Sequence, residues 1–277
     1  MNEVSDGMAA SCPDAPRFNP EVARPARVYN LWLGGKDGYA ADRQAAREVA
    51  ARRPQVVAGA LANRGFLARV VRYLAGQRGI TQFLDIGTGL PAPGCTHEVA
   101  QRLAPRSRVV YVDNDAVVLT HARALLTSSP EGACGYVDAD LRDTGLILRE
   151  ASRILDLSQP VAVLLLAVLH FVSDCDHPEG VVAALAAGLA PGGFVAISHL
   201  TSDFAPDAVN SGVAAYNSLV PAGITARSHA QVTGLFGDMP LVAPGVVPVT
   251  EWRPAGGDRS AQPADLYAGL AAVGRCR

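Results

Sequence analysis

Two patterns of apolar residues alternate along most of the chain. Short runs in which nearly every residue is apolar predict strands buried on both faces, at 82–86, 108–113, 134–138, 161–169 and 194–199. Between these runs, apolar residues recur every three or four positions, which indicates amphipathic helices. Because strands and helices alternate, the sequence predicts an α/β fold with a parallel sheet and right-handed crossovers.

The two ends of the chain depart from this alternation. Before the first strand, helical patterns cover 27–33, 42–50 and 56–74. After the last of these strands, residues 201–225 are polar and irregular and predict no element. Two strand-like runs follow at 241–249 and 266–273, so the spacing predicts a parallel sheet completed by an antiparallel pair.

These patterns divide the chain into three parts. Residues 1–19 are rich in small residues and proline, lack periodicity, and are expected to form a disordered leader. Residues 20–80 are expected to form an N-terminal helical cap, and residues 81–277 the core.

The cap contains the first candidate site residues. The stretch 25–37 combines Tyr29 with a second aromatic residue, a Gly-Gly turn and the only lysine of the chain, Lys36. It is either a helix that packs its aromatic face on the core or a lid over the edge of the sheet. Asn63 and Arg64 lie in the middle of a predicted helix; they are surface residues unless that helix borders the site.

Composition and charge exclude several partners. A net charge of −2, a pI near 6.3 and dispersed basic residues provide no positive surface for nucleic acid or an anionic membrane. The longest apolar run, 161–169, is far shorter than the roughly 20 residues that a membrane helix requires. The first residues do not resemble a signal peptide. We therefore expect a cytoplasmic protein with neither a nucleic-acid nor a membrane partner.

The cysteines indicate neither disulfides nor a metal site. Five cysteines lie far apart, at positions 12, 95, 134, 175 and 276, and are expected to be reduced thiols. Cys175 and His177 form the nearest approach to a metal-binding motif. Since no second cluster stands at ligand spacing, we expect no bound metal.

The stretch from Gln82 to Pro91 is the strongest candidate for a ligand-binding turn. A buried strand there runs through Asp85 into Gly87-Thr88-Gly89. Glycine tolerates positive φ and has no Cβ, so the chain can turn tightly and approach a ligand closely. This arrangement is typical of α/β sheets that hold a nucleotide-like ligand.

Acidic residues end the next two predicted strands as well. Asp113, followed by Asn114, ends the second, and a carboxylate there can accept hydrogen bonds from a ribose diol. Asp140 and Leu141 follow the third, where they could contact an exocyclic amine and the ring of a purine. Alternatively, these acids only cap the following helices.

The glycine turn by itself fits either a nicotinamide dinucleotide or S-adenosylmethionine. Pro91 and Pro93 follow it, at positions where a dinucleotide site presents backbone amides to a pyrophosphate, and proline has none. Asp85 would repel a pyrophosphate but suits a cationic amino-acid group. The sequence therefore favours S-adenosylmethionine as cofactor.

Several specific motifs run over nearly the whole chain. They are Ala26-Arg27-Val28-Tyr29-Asn30-x-x-Leu33-Gly34-Gly35-Lys36-Asp37, Asn63-Arg64-x-Phe66, the stretch 82–91, His97-Glu98-Val99-Ala100, Val110-Tyr111-Val112-Asp113-Asn114-Asp115, Val168-Leu169-His170-Phe171, Ser198-His199, Pro244-Gly245-Val246-Val247 and Trp252-Arg253-Pro254. In these motifs the chain resembles the mostly actinobacterial S-adenosylmethionine methyltransferase family long known as a domain of unknown function. Ala116 departs from the family pattern, which usually has proline there.

The resemblance implies a Rossmann-like, class I methyltransferase sheet of seven strands, with 266–273 as the last, antiparallel strand. It places Asp85 and the turn Gly87-Thr88-Gly89 around the methionine part of the cofactor. By the same likeness, Asp113 and Asn114 lie at the ribose, and Asp140 and Leu141 at the adenine. The likeness does not extend to the methyl acceptor.

Transfer to an oxygen or nitrogen atom requires removal of a proton. His170 and His199 end the fourth and fifth predicted strands and are the candidate bases; alternatively, they only satisfy backbone or cofactor hydrogen bonds. Residues 20–75 and 201–225 are expected to form the pocket for a small-molecule acceptor. The hypotheses are a methyltransferase, a non-catalytic S-adenosylmethionine-binding sensor or partner-binding module, and, ranked behind both, a nicotinamide oxidoreductase.

Overall fold

The computed structural model describes residues 19–254 and 269–276. The helices of this part are α1 Pro25–Trp32, α2 Ala40–Arg52, α3 Val56–Arg78, α4 Thr96–Leu103, α5 Ala116–Leu125, α6 Thr144–Ala151, α7 Pro178–Ala187, α8 Pro206–Leu219 and α9 His229–Gly234. The strands are β1 Gln82–Ile86, β2 Arg108–Asp113, β3 Ala133–Asp138, β4 Ala162–Leu166, β5 Phe194–Leu200, β6 Val247–Pro248 and β7 Gly269–Arg275.

The strands form one mixed sheet in the order β3-β2-β1-β4-β5-β7-β6. Strands β1 to β5 are parallel, and β7 runs antiparallel to both β5 and β6. The predicted α/β class, seven-stranded sheet and antiparallel strand are therefore confirmed. Strand order reverses between β1 and β4, and the carboxyl ends of strands at such a point are where open α/β sheets bind ligands.

The sheet is buried on both faces, as the continuous apolar runs predicted. Alternate side chains of β1 point to opposite faces: Leu84 and Ile86 join the cluster that contains residues of α6 and α7, whereas Phe83 joins the one that contains residues of α3 and α4. Burial of one such side chain contributes about 1.5–3 kcal/mol. These two layers hold the carboxyl ends of the strands in a fixed relation.

A third hydrophobic cluster joins the N-terminal helices to α8. Val28 of α1, Val49 of α2, and Tyr216 and Val220 near the end of α8 belong to it. Helices α1 and α2 therefore pack against an element that lies more than 150 positions later in the chain.

A buried arginine ties α1 to the strand ends. The guanidinium of Arg27 lies 3.2 Å from Asp42 of α2 and 3.5 Å from Asp115 in the turn after β2. Asp115 also caps α5 by accepting a hydrogen bond from the amide of Val117 at 2.9 Å. Since all three charges are buried, loss of Arg27 would leave two uncompensated carboxylates.

The prediction for residues 201–225 is wrong, because α8 occupies most of this segment. Pro206 at the first helical turn and apolar residues at 209, 213 and 216 are helix signals. Asn210, Ser211, Gly212 and Asn217 weaken the intrinsic helix propensity of the segment. The buried contacts of α8 with α1 and α2 compensate for that weakness.

Several predicted boundaries also change. The run 241–249 forms only the short strand β6 and an isolated bridge between Leu241 and Gly274. The fourth strand ends at Leu166 and not at residue 169. Helix α6 begins after Asp143, which caps it. Residues 1–18 of the predicted leader and residues 266–268 of the last predicted strand lie outside the described residues.

No helix in the described ranges combines the length and apolar character required to span a bilayer.

Candidate active site

A cavity of about 570 Å³ lies between the carboxyl ends of the parallel strands and the helices α1, α2, α3 and α8. It is lined by all but one of the predicted site residues: Tyr29, Asn63, Arg64, Asp85, Gly87, Thr88, Gly89, Asp113, Asn114, Asp140, Leu141, His170 and His199. The exception is Lys36, which is exposed in the turn after α1 and does not line the cavity. The structure therefore does not bring Lys36 together with the other predicted site residues.

The turn after β1 requires glycine for two separate reasons at position 87. Gly87 has φ of +73°, and Gly89 has φ of +66°, both in the left-handed region. A Cβ on Gly87 would stand 2.3 Å from a methyl carbon of Val168, whereas a Cβ on Gly89 would meet no atom within 4 Å. Glycine at position 87 therefore lets the turn pack directly against Val168, which lies two residues beyond the end of β4.

Asp85 provides a buried carboxylate at the end of β1. Its Oδ2 accepts a hydrogen bond from the hydroxyl of Thr96 at 2.6 Å. Burial raises the pKa of Asp85 to about 6, against smaller lowering effects of Thr96 and Arg64. Thr96 is the first residue of α4, and Cys95 occupies the N-cap position. The site therefore holds a carboxylate that a cationic ligand would help to ionise.

Asp113 fastens the glycine turn to the end of β2. Its Oδ2 accepts a hydrogen bond from the amide of Gly89 at 2.9 Å, and its Oδ1 accepts one from the amide of Asp115 at 3.0 Å. Burial raises the pKa of this carboxyl to about 6 as well. Each oxygen keeps a second lone pair that a hydroxyl group could use.

Asp140 is half-buried and ion-paired. Its two oxygens accept hydrogen bonds from Nε and Nη2 of Arg142, both at 2.8 Å. This pairing lowers the pKa of Asp140. The amide of Asn114 also donates to Asp140, at 3.4 Å, and Leu141 lines the cavity beside it. These residues place a carboxylate next to an apolar surface at the end of β3.

A chain of hydrogen bonds connects the strand ends to the N-terminal helices. The amide of Ala167 donates to the hydroxyl of Ser198 at 2.9 Å, and this hydroxyl donates to Oδ1 of Asn63 at 2.6 Å. The side-chain amide of Asn63 donates to the hydroxyl of Tyr29, which donates to the carbonyl of Ala60. Burial raises the pKa of Tyr29. Asn63 is thus a cross-link between β5, α3 and α1.

His170 does not end β4 but lies in a one-turn 3₁₀ helix, Leu169–Phe171, that follows Ala167 with its φ of +54°. Its Nδ1 is buried without a hydrogen-bond partner among the described residues. Burial, with smaller contributions from His199 and Arg227, holds its pKa well below the usual range. The imidazole is therefore neutral and able to accept a proton, but weakly basic.

Both ring nitrogens of His199, the second candidate base, are engaged in hydrogen bonds. Nδ1 donates to the carbonyl of Leu200 at 2.7 Å, and this fixes Nε2 as the acceptor of a hydrogen bond from Arg227 at 2.9 Å. Burial lowers the pKa of His199 to about 4. No ring nitrogen remains for the proton of a substrate, so the ring instead orients Arg227.

Arg227, which the sequence did not single out, uses all of its five donors. Besides His199, it donates to the carbonyls of Leu169 and Val172 and twice to Oδ1 of Asp174, over distances of 2.7–3.0 Å. Its side chain is only 2% exposed. Arg227 therefore holds the 3₁₀ turn that carries His170. A lone arginine in a polar segment provided no periodic signal for this role.

The sequence analysis also did not identify a group formed by a cysteine, a histidine and a glutamate. Potential ligand atoms of Cys95, His97 and Glu98 lie within 4.8 Å of one another. Nδ1 of His97, however, lies 2.8 Å from the hydroxyl of Tyr111, and burial raises the pKa of Cys95 to about 12. The thiol and imidazole are thus engaged as neutral, hydrogen-bonded groups.

The sheet order, the glycine turn and the acids at three successive strand ends define the class I, Rossmann-like methyltransferase fold. The chain belongs to the S-adenosyl methyltransferase family, whose family model matches residues 12–277. The cofactor of this family is S-adenosylmethionine, so the nicotinamide alternative is set aside. No curated protein matches the chain significantly.

Two solved structures are similar over almost the whole chain. A DUF574 family protein from Streptomyces avermitilis MA-4680 is 40% identical with a TM-score of 0.90, covering 93% of this chain and 99% of that one. A protein from Thermobifida fusca YX, described provisionally as a methyltransferase, is 39% identical with a TM-score of 0.85, covering 96% and 100%. The plantazolicin methyltransferase BpumL shares the fold at 12% identity and a TM-score of 0.51, covering 91% and 96%.

Proposed function

We propose that the protein is an active, cytoplasmic methyltransferase that transfers the methyl group of S-adenosylmethionine to a small molecule. The observation that carries this proposal is a cavity in which carboxylates at three strand ends and the close-packed Gly87 turn share one space with an aromatic-lined region under α8. A cavity of about 570 Å³ falls within the range of small-molecule sites. The described cysteines are free, in keeping with a reducing compartment.

The residues of the strand ends fit the cofactor. We assign Asp85 and the turn Gly87-Thr88-Gly89 to its methionine part, since a buried carboxylate with a raised pKa is stabilised by an ammonium group. Asp113 and Asn114 are assigned to the ribose, and Asp140 with Leu141 to the adenine. Tyr29, Asn63 and Arg64 form the cap side of the site. The helical cap of residues 20–80 is assigned the role of lid.

His170 is assigned the role of proton acceptor. When bound, S-adenosylmethionine supplies a methyl group on a sulfonium, and S-adenosylhomocysteine remains after the transfer. For a hydroxyl or amine acceptor, the proton of the attacking group passes to the neutral imidazole of His170 as the bond to the methyl carbon forms. Arg227 and His199 hold the turn that orients this imidazole, and the hydrophobic clusters exclude water.

A non-catalytic S-adenosylmethionine-binding protein is the second candidate. The observation in its favour is the strongly lowered basicity of His170, which weakens it as a general base. Such a protein would bind the cofactor tightly but consume no methyl groups in an extract of small metabolites. Release of S-adenosylhomocysteine in that extract, detected by mass spectrometry, would decide for the enzyme.

Calorimetric titration with S-adenosylhomocysteine tests the cofactor assignment. The wild-type protein is expected to bind it, and Asp113→Ala to bind it roughly 10- to 100-fold more weakly, because hydrogen bonds to a charged group contribute about 1.5–3 kcal/mol. Asp207→Ala is the matched control, since this aspartate is exposed and does not line the cavity. The absence of wild-type binding at millimolar ligand would reject the proposal.

Cofactor affinity is expected to depend on pH through Asp85. Its raised pKa means that the carboxyl of the free protein becomes protonated as the pH falls through about 6, and a neutral carboxyl cannot pair with an ammonium group. The dissociation constant of S-adenosylhomocysteine should therefore be flat from pH 8 to 7 and be at least about tenfold higher at pH 5, where protonation of Asp113, whose pKa is also about 6, adds to the change.

Asp85→Asn tests this dependence, because the amide can still accept the hydrogen bond of Thr96 but carries no charge. We expect weaker binding at pH 7 and a smaller change between pH 7 and 5 than in the wild type. An unchanged pH profile in Asp85→Asn would assign the titration to another group.

A further inference from the structure

Arg53 is a buried cation that faces the cavity without a partner. It follows α2, its residue is only 6% exposed, and it lines the cavity. Its Nη2 has no hydrogen-bond partner among the described residues. Burial lowers its pKa, and no carboxylate of the described chain opposes that effect. A guanidinium remains charged in proteins, and a buried charge is costly unless an anion pairs with it.

The dipole of α2 does not explain why Arg53 is buried. A cation in the last turn of a helix interacts favourably with the helix dipole, but Arg52 already occupies the last turn and is exposed. Arg52 therefore provides this interaction without loss of hydration. The burial of Arg53 has no comparable structural explanation.

Helix α8 directs Arg53 toward the acceptor region of the cavity. A Cβ on Gly212 would lie 3.3 Å from Cβ and 3.5 Å from Cδ of Arg53, so the arginine stem crosses α8 at this glycine. Tyr216 lies one helical turn further along the same face, and its hydroxyl is also buried without a partner. A guanidinium nitrogen and a phenolic hydroxyl thus lie on neighbouring parts of one wall, both unpaired.

Aromatic rings continue this wall to His170. The ring centroid of Tyr216 lies 6.4 Å from that of Trp32 and 6.3 Å from that of Phe171. Phe171 in turn lies 4.4 Å from His170. The wall therefore runs from an unpaired cation over flat apolar surfaces to the residue assigned as proton acceptor.

We propose that the methyl acceptor combines a planar aromatic body with a carboxylate, and that Arg53 binds the carboxylate. This inference rests on the proposed function. Nη2 of Arg53 provides a charged donor for a carboxylate oxygen, and the hydroxyl of Tyr216 lies unpartnered on the same wall, whereas a phosphate would leave further oxygens without partners. The rings of Trp32, Tyr216 and Phe171 bind the body by stacking or edge contacts.

The test compares matched acids and amides on protein saturated with S-adenosylhomocysteine. The probes are benzoate, 4-hydroxybenzoate and indole-3-acetate, with the corresponding neutral amides. In the wild type, we expect at least one acid to bind about tenfold or more tightly than its amide, as measured by calorimetry. Arg53→Met should abolish this preference, and Arg53→Lys should keep part of it because the charge remains.

Arg52→Met is the matched control, since it removes an adjacent but exposed arginine, and it should keep the full preference. Both methionine variants should bind S-adenosylhomocysteine within about threefold of wild type. The melting temperature of Arg53→Met should equal or exceed that of the wild type, because the variant removes an unpaired buried charge.

Three results would overturn the inference. They are equal binding of acids and amides, no binding of any acid at 10 mM, and a tenfold loss of S-adenosylhomocysteine affinity in Arg53→Met, which would assign the arginine to the cofactor. Failure of the wild type to bind S-adenosylhomocysteine would instead reject the proposed function, so the two failures are distinguishable.

Discussion

Gly87→Ala is expected to abolish measurable binding of S-adenosylhomocysteine and to lower the free energy of unfolding by about 3 kcal/mol. Two costs add at this position. A non-glycine residue at φ of +73° costs about 1 kcal/mol or more, and insertion of a methyl group into the contact with Val168 costs about 1–3 kcal/mol. The turn must move to relieve the backbone strain and the clash with Val168. Because the turn lines the cavity, this movement changes the binding site. Calorimetry and denaturant unfolding measure the two effects.

The chain provides matched controls for each cost. Gly79→Ala places alanine at φ of +68° after α3, away from the cavity and with no atom within 4 Å, so it should lose some stability but no affinity. Gly89→Ala places a non-glycine residue at positive φ within the site, but its Cβ meets no atom within 4 Å. Val168→Ala, combined with Gly87→Ala, should recover part of the lost affinity. Equal effects of Gly87→Ala and Gly79→Ala would contradict the close-packing argument.

Arg227→Met is expected to lower the free energy of unfolding by about 3–5 kcal/mol, a large part of the stability of an ordinary domain. The substitution leaves the carbonyls of Leu169 and Val172 and Nε2 of His199 buried without their donor. At about 2–4 °C per kcal/mol for a chain of this size, the melting temperature should fall by roughly 10 °C. Calorimetric or circular-dichroism melting measures this change.

The control for this prediction is Asp174→Asn. Asp174 is the exposed partner of Arg227, with 63% of its side chain accessible, so loss of its charge should cost less than about 1 kcal/mol. Arg227→Lys keeps the charge but provides only three donors and should lie between the two. If Arg227→Met proves no less stable than Asp174→Asn, the buried carbonyls are not held by the guanidinium.

The part of the cavity at the strand ends, which we assign to the cofactor, was largely predictable because its residues are encoded locally. Asp85, Gly87 and Gly89 lie in one short stretch, and Asp113 and Asp140 each follow an apolar run. Parallel strands bring their carboxyl ends to one edge of a sheet, so the position of each residue at a strand end already placed it in the site. The structure adds that Asp113 also fixes the glycine turn.

The region proposed for the acceptor could be predicted only as the segments 20–75 and 201–225, not residue by residue. Arg53 after α2 and Tyr216 on α8 come from these distant segments. Arg227, before α9, lies outside the cavity lining and holds the turn that carries His170. Neither arginine belongs to a periodic pattern that separates it from an ordinary surface residue, and Tyr216 belongs to a helical pattern that the sequence analysis missed. Lys36, by contrast, was noticed because it is unusual in composition, yet it lies outside the cavity.

The sequence alone determined the alternation of strands and helices, the parallel sheet and the choice of S-adenosylmethionine, since each depends on local periodicity or on the chemistry at strand ends. Only the tertiary structure decided that 206–219 is helical, that both nitrogens of His199 are engaged and that Arg53 is buried without a partner. These features depend on which distant side chains meet. Burial and hydrogen-bond partners are set by long-range packing, which periodicity along the chain does not encode.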